Sequence, residues 1–155
     1  FHRGDYEKFE DNIRLGLSIA PNSPAILADS GVYLCLMGKL DEGLSLVKKA
    51  MDLNPQHPSW CRFALCHDHY RRGEYDKAID QVRFIETPDW FWPHALQAIL
   101  YAKLGKKEEA AKARGNVLRL YPDFPQNAER DGRKWVRRDE DLTKYLTGLK
   151  QAQLA

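Results

Sequence analysis

A chain of 155 residues with 24 Lys and Arg against 22 Asp and Glu has a formal charge of only +2, which excludes a polyelectrolyte that holds nucleic acid by bulk charge. No apolar run approaches the length needed to cross a bilayer, and three cysteines, an odd number without a paired framework, point to a reducing, cytoplasmic compartment.

From the start, the chain states a short phrase four times: Gly4-Asp5-Tyr6-Glu7-Lys8, Gly38-Lys39-Leu40-Asp41-Glu42, Gly73-Glu74-Tyr75-Asp76-Lys77 and Gly105-Lys106-Lys107-Glu108-Glu109. The glycines stand 34, 35 and 32 residues apart, a period that marks an array of helical repeats. After each glycine, apolar residues recur at three- and four-residue steps on one helical face. These are Tyr6, Phe9, Ile13 and Leu17, then Leu40, Leu44, Val47 and Met51, then Tyr75, Ala78, Ile79, Val82 and Ile85, then Ala110, Ala113, Val117 and Leu120. A first helix precedes each later glycine, carrying Leu27, Gly31 and Leu34, then Phe63, Cys66 and Tyr70, then Ala95, Ile99 and Ala102. Ala20-Pro21, Asn54-Pro55 and Tyr121-Pro122 supply the stops, because proline has no donor and restricts the residue before it. Asp89 is expected to cap the helix that holds Pro93 in its first turn. Past Pro122, one short helix is expected up to Trp135, and a second from Asp139 with Leu142, Tyr145, Leu146 and Leu149 as an apolar stripe.

These pairs resemble tetratricopeptide repeats, with a small residue in the first helix, Gly at the turn, an aromatic two residues on, Ala in the second helix and Pro at its end. Gly31, Gly38, Leu40, Ala50 and Pro55 carry the pattern in one repeat; Gly73, Tyr75 and Ala78 in the next; Ala98, Tyr101, Gly105, Ala110 and Pro122 in the last. Departures are Phe9 and Gly43 at the second-helix alanine and Lys107 at the turn aromatic. The resemblance implies an all-α, right-handed superhelical solenoid of antiparallel helix pairs, about three and a half repeats long with a C-terminal capping helix. The expected units are a half repeat at 1–22, repeats at 23–56, 57–88 and 89–122, and cap helices at 123–155. Phe1-His2-Arg3 stand directly before the first phrase, so the missing helix is expected upstream in a longer protein, leaving a face that invites pairing with another copy. The run Asn54-Pro55-Gln56-His57-Pro58-Ser59-Trp60, the Asp89-Trp90-Phe91-Trp92 stretch and the ending 141–150 are also similar to the C-terminal repeat region of bacterial adenylate/guanylate cyclase-like regulators. Related arrays follow winged-helix transcription activators. Both imply a regulatory tail that packs on an upstream domain.

Chemistry is sparsely marked. Cys61, Cys66, His67, Asp68 and His69 lie close in sequence, but Cys66 and His69 share a helical face that His67 does not, so three ligands cannot converge from this helix alone. No phosphate-cradling loop, nucleophile elbow or HExxH is present, and the expectation is a module without catalysis, metal or cofactor. In tetratricopeptide arrays the first helices line the concave face, and that register places Trp60, Phe63, His67, Tyr70, Arg71, Trp92, Ile99 and Lys103 in an aromatic trough for a protein or peptide partner. The Lys and Asn positions that grip chaperone tails hold Ala28, Val32, Phe63, His67, Ala95 and Ile99 instead, so a more apolar partner is implied. Charge is uneven: residues 103–138 hold eleven Lys or Arg against five Asp or Glu. Arg130, Arg133, Lys134, Arg137 and Arg138 around Trp135 form the one candidate for nucleic-acid contact, with acidic residues interleaved.

Overall fold

The computed structural model describes residues 5–155, and Phe1 to Gly4, with the first glycine phrase's opening residue and His2, lie outside the described residues. Nine α-helices follow one another: α1 (Tyr6–Ile19), α2 (Pro24–Leu36), α3 (Leu40–Leu53), α4 (Arg62–Arg71), α5 (Tyr75–Val82), α6 (Phe91–Lys103), α7 (Lys107–Leu120), α8 (Phe124–Trp135) and α9 (Asp139–Gln151) among the described residues. A single turn of tighter helix, Ser59–Cys61, leads into α4. The pairs α2/α3, α4/α5 and α6/α7 stack as helical hairpins into a solenoid.

The recurring glycine has one cause at all three described turns. Gly38, Gly73 and Gly105 have φ of +89°, +75° and +72°, the left-handed region that side chains disfavour. That reversal lets the next amide reach back five residues: Lys39 N–H donates to the Leu34 carbonyl at 2.8 Å, Glu74 to His69 at 2.9 Å and Lys106 to Tyr101 at 2.9 Å. Each first helix thus ends by satisfying its own orphan carbonyls while turning the chain into the second.

Proline stops fall where expected, after Ile19, Leu53 and Leu120. Two boundaries differ. Helix α5 ends at Val82, and Ile85 reaches the core from the following turn, where its N–H donates to the Val82 carbonyl at 3.1 Å. Trp90, not Asp89, is the N-cap of α6, because its N–H closes a turn onto the Thr87 carbonyl at 3.1 Å and its ring is held against Phe63.

Two core clusters meet at α4. Leu27, Leu44, Val47 and Cys61 belong to the first; Cys66, Val82, Ile99, Phe124 and Leu149 belong to the second. The last helix departs from simple stacking. It lies against α6 and reaches back to α4, where the Tyr70 hydroxyl donates to the Lys144 carbonyl at 2.9 Å. Just before it, Arg137 N–H donates to the Leu36 carbonyl at 3.1 Å, and the Arg138 side chain lies against Gly38. The C-terminal segment therefore runs across the concave side from the last repeat to the α2/α3 turn.

Candidate functional site

Three stripes at helical spacing turn toward the same concave space. Asp29, Val32, Tyr33 and Leu36 come from α2; Phe63, His67, Tyr70 and Arg71 from α4; Trp92, Leu96 and Leu100 from α6. Trp60 enters from the turn before α4, and Trp90 from the cap of α6. Over them lies the C-terminal segment, contributing Trp135, Val136, Asp141, Lys144 and Tyr145. Together they enclose a cavity of about 290 Å³, with a largely apolar wall. The chain has four tryptophans, and all four line this one cavity.

The rings are arranged in mutual edge-to-face and tilted contact. Trp90 packs 5.3 Å from Phe63 and 6.0 Å from Trp135, and Trp92 packs 6.4 Å from Trp135 and 5.7 Å from Tyr145. Offset and T-shaped contacts of this kind fix each ring's plane and preform the wall. The hydroxyl of Tyr145 is buried without a hydrogen-bond partner among the described residues.

At one end of the cavity, Asp141 is buried to 4% exposure and accepts from Arg71 Nε at 2.8 Å, with Arg138 Nε 3.7 Å from its other oxygen. His67 Nε2 stands 3.9 Å from that oxygen, beyond hydrogen-bond range. Burial lowers the His67 pKa, the pull of Asp141 and Asp68 opposing it and the Arg71 and Arg138 cations adding to it. His67 is therefore neutral in the folded protein at neutral pH. A histidine held neutral contributes stability that is complete above its ordinary value of 6.5 and is lost as pH falls below that toward the depressed folded value. Chemical denaturation across this range should show unfolding free energy declining by up to about 1.4 kcal/mol per pH unit from this group. His67→Gln should remove that component, and an unchanged pH slope in the variant would refute the assignment.

Of the expected trough residues, Trp60, Phe63, His67, Tyr70, Arg71 and Trp92 are brought together at the cavity. Ile99 and Lys103 are not. Ile99 has no exposed surface, because its place on α6 turns it toward Gly148 of α9, while Leu96 and Leu100 face the cavity. The Lys103 ammonium lies 6.0 Å over the Tyr75 ring, outside the cavity. Sequence reasoning missed Asp29, Asp141 and the rest of the C-terminal wall. The signals in that segment are Trp135, which its neighbouring arginines place with the basic stretch, and Tyr145, which the apolar stripe of the last helix places in the cap.

Elsewhere the side chains are engaged locally. Cys66 is fully buried, and burial pushes its thiol up to about 12, so it packs as a neutral group. His69 Nδ1 lies 2.6 Å from Glu74 across the turn. In the basic segment Arg130 and Lys134 both bond Asp131, Arg133 bonds Glu129, Arg138 bonds Glu140, and Arg137 lies 4.0 Å over the Tyr6 ring. Burial would raise the Asp131 carboxyl, but donors from Arg130, Lys134 and Tyr121 hold it down to about 2. Trp135 turns inward from this segment to the cavity.

No family model matches the chain, and no curated protein matches it. Solved structures do. The chain is similar to MamA from Desulfovibrio magneticus RS-1, running from residue 41 to its end, with a TM-score of 0.64 at 17% identity over 97% of this chain and 85% of that one. An RS-1 MamA double mutant gives 0.63 at 18% identity, over 93% and 84%, and a MamA crystal structure gives 0.62 at 17% identity, over 97% and 88%. At these identities the likeness shows the fold, a tetratricopeptide-like helical solenoid. No described helix is long and apolar enough to cross a membrane.

Proposed function

We propose that this chain is a non-catalytic protein-interaction module that binds a segment of a partner protein in the aromatic-lined concave cavity. The observation that carries the proposal is the convergence of all four tryptophans on one preformed pocket. Large rigid aromatic area held in a partly enclosed site is where binding energy concentrates in interfaces, and it is costly to leave facing water for packing alone. The pocket is short rather than trough-like, because the C-terminal helix covers part of the concave face. It therefore suits one or two anchoring side chains rather than a long extended peptide.

The test is Trp60→Ala combined with Phe63→Ala, two half-buried side chains at the cavity wall. Peptides selected from a random library against the native chain should bind the double variant roughly thirtyfold more weakly, the loss of a hot spot worth about 2 kcal/mol. Its helical circular dichroism should remain close to native. Undiminished binding by the variant would remove the cavity as the site.

One observation favours a second reading. The concave face already accepts a segment of its own chain, through the Tyr70–Lys144 and Arg71–Asp141 bonds. A regulatory tail that packs on an upstream domain, as the likeness to cyclase-like and winged-helix regulators implies, would use the same surface. Such a domain added in trans should then compete with the selected peptides. The basic segment 130–138 lends nucleic acid less support, since its cations are bonded to carboxylates or stacked on Tyr6.

A further inference from the structure

We infer that the anchoring group the cavity receives is a cation on an aliphatic stem, the lysine or arginine side chain of the partner, with Asp29 as its counter-charge. This rests on the proposed binding role of the cavity and specifies the chemistry of its ligand. Four charged side chains line the space: Asp29, Arg71, Asp141 and Lys144. Arg71 is bonded to Asp141 at 2.8 Å, and Lys144 is bonded to Glu140 at 3.0 Å. Asp29 alone of the four makes no ion pair or hydrogen bond among the described residues. The one charge lining the space without an opposite partner is thus a carboxylate.

The walls agree with that sign. Trp60, Phe63, Trp90 and Trp135 present ring faces and edges around the space, and indole faces attract cations through their quadrupole, more strongly where water is excluded. The methylene stem of lysine or arginine buries against apolar surface while its head reaches a charge. Asp29 is on the exposed side of α2 yet partly desolvated, and burial raises its carboxyl pKa, a cost that an incoming cation would relieve. An acidic or neutral anchor would leave that carboxylate unpaired.

The experiment compares N-acetyl-arginine-amide with N-acetyl-citrulline-amide, its neutral isostere, and N-acetyl-lysine-amide with N-acetyl-norleucine-amide. The four indole N–H resonances report where each compound binds. The cations should perturb the indole signals with affinities about fivefold or more above those of their isosteres, a ratio that falls as salt is added. Asp29→Asn, an isosteric change at an exposed position, should bring the ratio to near one while leaving the neutral compounds' affinity unchanged. Equal affinity of charged and neutral compounds for the native chain would overturn the cation assignment and leave the cavity as an apolar site. A ratio that survives Asp29→Asn would overturn the role of Asp29. Indole signals that none of the four compounds moves would overturn the cavity as a ligand site altogether.

Discussion

Gly148→Leu is expected to lift the C-terminal helix off the concave face while the three inner hairpins stay folded. A Cβ at Gly148 would sit 2.6 Å from Ile99 Cγ2 and 2.8 Å from the Tyr70 hydroxyl. Neither neighbour can yield easily. Ile99 is fully buried with a branched, stiff side chain, and the Tyr70 hydroxyl is tied to the Lys144 carbonyl at 2.9 Å. Leucine favours helix over glycine by up to about 1 kcal/mol, so any loss must come from the packing and not from α9 itself. Overpacking should cost about 3 kcal/mol. Amide exchange should lose protection across α9 and the tryptophan emission should shift toward that of exposed indole, with α2 to α7 protected as before. Native protection of α9 in the variant would show that the close approach does not hold the helix in place.

The second large effect is expected at the α2/α3 contact. Gly31 and Gly43 oppose each other so closely that a Cβ on Gly43 would meet the Gly31 carbonyl oxygen at 2.5 Å, Cys35 Sγ at 2.6 Å and the Cys35 backbone nitrogen at 2.8 Å. Backbone atoms cannot move aside by changing rotamer. Gly43→Ala should therefore destabilise by about 3 kcal/mol despite the gain in helix propensity. Gly115→Ala in α7, where an added Cβ would meet nothing within 4 Å, should instead stabilise by up to about 1 kcal/mol. Denaturant midpoints of the two variants should move in opposite directions; movement in the same direction would refute the packing argument. The glycine at the position where the repeat pattern has alanine thus lies directly against the backbone of α2.

Local chemistry made most of the helices legible. Gly38, Gly73 and Gly105 could be found because the left-handed turn they make is rare for any other residue, and the proline stops because proline lacks a donor. Phe63, His67, Tyr70 and Arg71 could be placed on one face because they recur at three- and four-residue steps on α4. The same reasoning misplaced Ile99, since α6 is apolar on most of its circumference and periodicity could not say which face met the cavity and which met another helix. Asp29 carries no signal in the sequence, because its isolation depends on where Arg71 and Lys144 spend their own charges.

What the amino-acid sequence determined by itself is the repeat, the hairpin turns and the amphipathic stripes, all set by interactions between residues a few positions apart. What only the tertiary structure decided is that the concave face is partly closed by the chain's own C-terminal helix. The bonds that close it join Tyr70 to Lys144 and Arg71 to Asp141, 74 and 70 residues apart in sequence. Contacts at that separation leave no periodic trace, because they depend on how successive hairpins stack and curve to bring α9 over α4 and α6. Trp135 shows the consequence: beside arginines in sequence it reads as surface, and in the fold it completes the tryptophan wall 6.0 Å from Trp90.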